Sequence, residues 1–165
     1  MHPLRTAALA FCVSATALLR AQDRLPDVEI ATLDGEAVNV RDLAGGDGPT
    51  VIAFWATWCA PCKQELAAYS DAYEAWRADY GAEVVAVSID NARQLKRVGP
   101  MAEQKGWAFP VVSDAEGKLP AALGFQSIPQ VYVVAADGAI AYAHSGYTPG
   151  DEQAVAEALA ELTRG

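Results

Sequence analysis

The chain has 165 residues, 52% of them apolar, and a formal net charge of −9. That is the length of one domain, with enough apolar side chains for a sizeable core. The acidic balance argues against nucleic acid and anionic membrane surfaces as partners.

The N-terminus reads as a targeting segment. His2 and Arg5 open a short basic region, and every residue over 6–19 is apolar or small. The run falls short of the ~20 residues that span a bilayer. It fits the apolar stretch of an export signal, with cleavage expected after Ala21. A retained membrane anchor over residues 1–21 is the alternative. Leu9-Ala10-Phe11-Cys12 makes a poor lipidation box, because Phe11 is too large. A single domain over 22–165 would remain, on the periplasmic or extracytoplasmic side. Cysteines there tend to be locked as disulfides. A reductant working there needs a continuing electron supply.

Residues 27–33 alternate weakly, as in a strand, and Asp34-Gly35 is a hairpin signal. Residues 37–40 return as a second strand, and 45–49 form a Gly-rich loop. The apolar run over 50–56 predicts a strand buried on both faces. Residues 61–80 predict a helix with Leu66, Tyr69, Tyr73 and Trp76 on one side, facing the sheet. Gly81 ends it. A buried strand follows over 83–89. Residues 91–105 read as helical, with Gly99-Pro100 expected to kink or divide the segment. A short strand over 109–112, a turn over 114–117 and a helix over 118–123 come next. Residues 131–135 and 139–143 flank an Asp-Gly turn as a hairpin. Residues 151–162 form a terminal helix with Val155, Leu159 and Leu162 on one face. The order β-β-β-α-β-α-β-α-β-β-α predicts an α/β fold, a mixed sheet with helices on both faces.

The sharpest motif is Trp58-Cys59-Ala60-Pro61-Cys62-Lys63, where the central strand gives way to a helix. Cys59 falls at the helix N-terminus, where unpaired N–H groups and the helix dipole favour an anion. Its thiol pKa is expected at about 7 or below, as in such motifs. Cys62 lies one turn further in, placed to attack a mixed disulfide on Cys59. Pro61 suits the first turn, where no N–H is needed. A zinc site would need four ligands. Cys12 lies in the segment expected to be removed, and His2 and His144 form no ligand pair, so no metal is expected. A purely structural bridge would close too small a loop to stabilise much. The motif reads as a redox-active dithiol/disulfide.

Three further segments extend the pattern. Ala53-Phe54-Trp55-Ala56-Thr57 runs into the motif, and Lys63-Gln64-Glu65 leaves it. Residues 84–90 with the following helix form a β-α unit. Gly124-Phe125-Gln126-Ser127-Ile128-Pro129 precedes the strand and turn over 131–138. With these segments the chain resembles the thioredoxin superfamily, and within it the TlpA/ResA-like family of exported thiol–disulfide oxidoreductases. The likeness runs from about Leu25 to the C-terminal helix. It implies a thioredoxin-like fold, an N-terminal β-hairpin and a β-α insertion, with the Cys59–Cys62 disulfide as the only redox group and no other cofactor.

The resemblance also implies roles. Pro129 would be cis and face the cysteines, leaving the backbone of Ile128 free to pair with a substrate chain. By residue type alone it would be an ordinary strand-start proline. Glu65, three residues after Cys62 on the same helix side, would move protons to and from the buried thiol. The plainer reading is a solvated carboxylate near the positive end of the helix dipole. Trp58 would shield the dithiol and, with Ala60, Pro61 and Ile128, meet the substrate. Two departures stand out. Ala53 occupies the position of thioredoxin's buried acid, and Gln130 follows Pro129 where the family commonly has Thr.

The function expected is exchange with a client protein's disulfide or thiols through a mixed disulfide. Ala60-Pro61 suggests reducing character, by similarity to reductive relatives. An upstream membrane electron donor and a monomeric state are expected. Apocytochrome thiols, an oxidised copper-site protein and sporulation or envelope proteins all suit as clients. Two alternatives compete. One is a copper metallochaperone using Cys59, Cys62 and His144, since cysteine pairs suit soft copper(I). His144 otherwise reads as a strand-end surface residue. The other is peroxiredoxin chemistry, for which no Thr-x-x-Cys motif is present.

Overall fold

β3 (Thr50–Trp55) is buried along its whole length and is an interior strand of a seven-stranded sheet. The computed structural model describes residues 24–44 and 46–164, so the expected signal or anchor segment lies outside the described residues. β1 (Glu29–Thr32) and β2 (Ala37–Asn39) form the N-terminal antiparallel hairpin. α1 (Ala60–Tyr80), β4 (Glu83–Ser88), α2 (Val98–Lys105), β5 (Val111–Ser113) and α3 (Lys118–Leu123) follow β3. β6 (Gln130–Val134), β7 (Ile140–Ser145) and α4 (Asp151–Thr163) complete the chain. The sheet order is β2-β1-β5-β4-β3-β6-β7. β3, β4 and β5 run parallel, while β6 and β7 form the antiparallel hairpin beside β3. This is the mixed α/β architecture expected from the element order. Among the described residues no helix is long and apolar enough to cross a membrane.

The alternation of β3 divides the core. Val51, Ala53 and Trp55 pack with Leu66, Tyr69 and Trp76 of α1 and with Val155 and Leu159 of α4. Ile52 and Phe54 face the other way, towards Leu119 of α3 and Val40. Successive strand side chains point to opposite faces, so an unbroken apolar run serves two cores at once. The aromatic stripe of α1 is core, as its spacing predicts.

Gly81 ends α1 at φ +61°, its N–H donating to Arg77 O at 3.0 Å. Gly48 closes against that cap: a Cβ there would lie 2.1 Å from Gly81 O. Two boundaries differ from expectation. Val40 opens a 3₁₀ turn, Val40–Ala44, instead of ending β2. The 91–105 segment divides before Gly99-Pro100, at a turn and a 3₁₀ turn, Leu95–Arg97. Pro100 then sits in the first turn of α2, where a missing N–H costs no helical bond.

Candidate active site

The strand-to-helix junction after β3 is fixed from below by a buried carboxylate. Asp90, 0% exposed, stands just beyond β4, the strand parallel to β3. The Thr57 N–H donates to Asp90 Oδ2 at 2.8 Å and the Thr57 hydroxyl to Oδ1 at 2.7 Å. The Ser88 hydroxyl donates to Oδ2 at 2.9 Å. Lys63 Nζ reaches back from α1 to the Thr57 carbonyl at 2.9 Å. Thr57, two residues before Cys59, is thus held from the sheet and from the helix. Sequence reasoning did not single out Asp90. The one signal was a charged residue closing an otherwise apolar strand.

Cys59 is the N-cap of α1, with φ −86° and ψ 103°, and Cys62 N–H donates to its Sγ at 3.3 Å. The two cysteines form a disulfide, their Cα atoms 5.4 Å apart. Cys62 is wholly buried, whereas Trp58, Ala60 and Pro61 around Cys59 are exposed. Trp58, at 59%, is the one large exposed apolar side chain among the described residues. It lines a cleft with Ile89, Pro120, Phe125, Ser127 and Ile128. The Ile128–Pro129 bond is cis. The Pro129 carbonyl accepts from Gly146 N–H at 2.8 Å. Among the described residues the backbone of Ile128 joins no backbone–backbone hydrogen bond. Gln130 is buried, and its side chain accepts from the Ser145 hydroxyl on β7.

Glu65 and His144 overturn their plainer readings. Glu65 is 1% exposed, so it is no solvated surface carboxylate. Its Oε1 lies 2.8 Å from His144 Nε2 and accepts from the Tyr69 hydroxyl at 3.2 Å. The His144 side chain is 14% exposed and belongs to the interior side of β7. Ala53, Val131 and His144 are register neighbours across β3, β6 and β7 and so share the sheet face that packs on α1. The alternation of Tyr142 and His144 with small Ala143 was the available signal for this orientation. Burial pushes the Glu65 carboxyl up from its ordinary range, against the pull of the His144 and Tyr69 contacts. Burial and the neighbouring Glu65 push the Tyr69 phenol up as well. Among the described residues no group of three or more His, Cys, Asp or Glu is placed to hold a metal ion.

A mixed sheet, a helix-capping C-x-x-C disulfide and a cis-proline loop beside it define a thioredoxin-fold protein of the dithiol/disulfide kind. The AhpC/TSA family model matches residues 21–143, and the chain belongs to that family. The chain is 34% identical over 124 residues to the thioredoxin-like protein YneN of Bacillus subtilis, covering 73% of this chain and 69% of that protein. It is 30% identical over 127 residues to the thiol-disulfide oxidoreductase ResA of Oceanobacillus iheyensis, covering 74% of this chain. The match spans 64% of the length of that ResA, just under two-thirds. Among solved structures, an uncharacterized thioredoxin-like protein from Porphyromonas gingivalis superposes with a TM-score of 0.76 at 35% identity, covering 85% of this chain and 92% of that one. These relatives agree with the ResA-like resemblance of the chain.

Proposed function

We propose that the protein is an extracytoplasmic thiol–disulfide oxidoreductase that reduces client disulfides. The observation that carries this reading is the helix-capping pair: Cys59, 5% exposed, is the N-cap beside exposed Trp58, Ala60 and Pro61, and Cys62, 0% exposed, lies one turn inside. In the reduced protein the Cys59 thiolate attacks one sulfur of the client disulfide. A mixed disulfide forms, and the first client thiolate leaves and takes a proton. Cys62 then loses its proton and attacks Cys59 Sγ, releasing the second client thiol. The client gains two electrons, and the protein ends as the Cys59–Cys62 disulfide. Regeneration takes two electrons and two protons from an upstream membrane dithiol. No other cofactor is required.

Trp58 and Ile128, facing one cleft, would hold an apolar part of the client, with Ala60 and Pro61 completing the contact. The unpaired backbone of Ile128 suits a client strand. Pro129 keeps this loop beside the dithiol, and Glu65 handles the proton of Cys62. The protein would act as a monomer. Export rests on the basic-then-apolar character of residues 1–21. The ResA relative supports the exchange chemistry by name, since it is a thiol-disulfide oxidoreductase.

The test is turnover of insulin disulfides with dithiothreitol as donor. The wild type should accelerate it, Cys59→Ser should abolish it, and Cys62→Ser should accumulate mixed disulfides. A folded wild-type protein without exchange activity that binds one copper(I) would overturn the reading.

A further inference from the structure

The exchange reading assigns Glu65 a proton but leaves its partner on β7 without a task. We infer that His144 is the positioning residue of the resolving step: with Tyr69 it holds Glu65 by one oxygen, so that the other takes the Cys62 proton. The inference rests on the proposed exchange function.

Three observations carry it. Glu65 lies three residues beyond Cys62 on one helix, so the two side chains share a face. Both polar partners of the carboxyl converge on Oε1, at 2.8 Å for His144 and 3.2 Å for Tyr69. Oε2 is buried and has no hydrogen-bond partner. A carboxyl with one oxygen bound twice and the other bare is unusual in a protein interior, where polar atoms are normally paired. Of the two carboxyl oxygens, Oε2 is the one free to gain a proton; His144 Nδ1 is also buried without a partner, on the side of the ring away from Glu65.

The remaining groups facing Glu65 sharpen the role of His144. Tyr142 lies on the same strand β7, Tyr147 in the following loop and Asp151 at the start of α4. None of these is basic. Asp151 pushes the carboxyl up, and among the described residues His144 is the one group from another element that favours its ionised form. Without His144, burial keeps Glu65 protonated to higher pH, and a protonated carboxyl cannot act as a base.

In the resolving step His144 Nε2–H and the Tyr69 hydroxyl donate to Oε1. The Cys62 S–H proton moves to Oε2. The sulfur electron pair attacks Cys59 Sγ, and the Cys59–client bond breaks, the client sulfur leaving as a thiolate that takes a proton from solvent. When the disulfide is next reduced, the proton returns from Oε2 to the Cys62 thiolate.

The test follows resolution of a preformed Cys59 mixed disulfide in single turnover from pH 5 to 9. His144→Leu should slow it about tenfold at pH 6, part of the range that a placed base supplies, with the rate converging on wild type at high pH. His144→Gln keeps a donor to Oε1 and should recover much of the loss. In a Glu65→Gln background, His144→Leu should add nothing. Cys59 alkylation should be unchanged throughout. A wild-type pH–rate profile in His144→Leu would overturn the inference. So would an equal slowing at every pH that persists without Glu65, the mark of a merely structural residue. If His144→Leu does not fold, His144→Gln against His144→Asn decides on the same readouts. The titration of Cys62 in the reduced protein needs no client. It should move in His144→Leu only while Glu65 is present, so failure of the exchange reading is distinguishable from failure of this one.

Discussion

Replacing Asp90 should damage both the fold and the chemistry, and the hydrogen bonds give the size. Its carboxylate accepts from Thr57 N–H, the Thr57 hydroxyl and the Ser88 hydroxyl, and it is fully buried. Asp90→Ala removes the acceptor of all three bonds. Hydroxyls can rotate to other partners, whereas the Thr57 N–H cannot. One stranded amide costs about 1–3 kcal/mol, and the lost hydrogen bonds to a charged group add a comparable amount. A total of about 2–5 kcal/mol is expected. That would be a large part of the stability of a domain this size, typically about 5–15 kcal/mol. Urea unfolding of the oxidised protein followed by circular dichroism measures it. Asp90→Ala and Thr57→Val remove the same contact, so the double variant should lose less than the sum. The reduced variant, once shown to be folded, should also alkylate more slowly at Cys59, because the junction before the N-cap is no longer held. A loss under 1 kcal/mol would refute the brace. Strict additivity with Thr57→Val would refute the specific contact.

Two further outcomes follow from named contacts. Burial raises the folded-state pKa of Glu65 above its ordinary 4.5, so the protonated form is favoured on folding. The stability this contributes is fully present below about pH 4.5 and is lost as pH rises through the folded value. Glu65→Gln should remove that decline, and unfolding midpoints of the variant that fell in parallel with wild type from pH 4 to 8 would contradict it. Gly48→Ala should destabilise by about 1–3 kcal/mol, because its Cβ would meet the Gly81 carbonyl at 2.1 Å. An unchanged thermal midpoint would show that the loop moves aside freely.

The fold was legible where sequence patterns had one physical solution. The apolar run of β3 and the 3.6-residue aromatic stripe of α1 could bury themselves only as central strand and covering helix. The Asp-Gly turns fixed both hairpins. Boundaries slipped where local chemistry had two solutions, as at Gly99-Pro100, which suits the start of a helix as well as its end. The dithiol was legible because its spacing and its place after a strand coincide. The pairing of Glu65 with His144 was not, because it joins residues 79 positions apart. A carboxylate in the first turns of a helix and a histidine late in a strand each have a satisfactory surface reading. Only the antiparallel pairing of β6 with β7 brings His144 over the face of α1.

That pairing bears on the alanine of β3. The resemblance to thioredoxin would put Ala53 at the position of its buried acid, and β3 (Thr50–Trp55) carries no acidic side chain. The same register row continues through Val131 to His144. The small side chain of Ala53 leaves α1 to supply the acid from its own face, at Glu65, and β7 to supply its partner. On the proposed reading, the two cysteines then answer to different fields. Cys59 feels the helix terminus, which favours its thiolate. Cys62 lies beside a buried carboxyl, whose charge disfavours a second anion. The cysteine that meets the client is therefore ionised first. The one that resolves the mixed disulfide ionises only as its proton is taken, which sets the order of attack from within the fold.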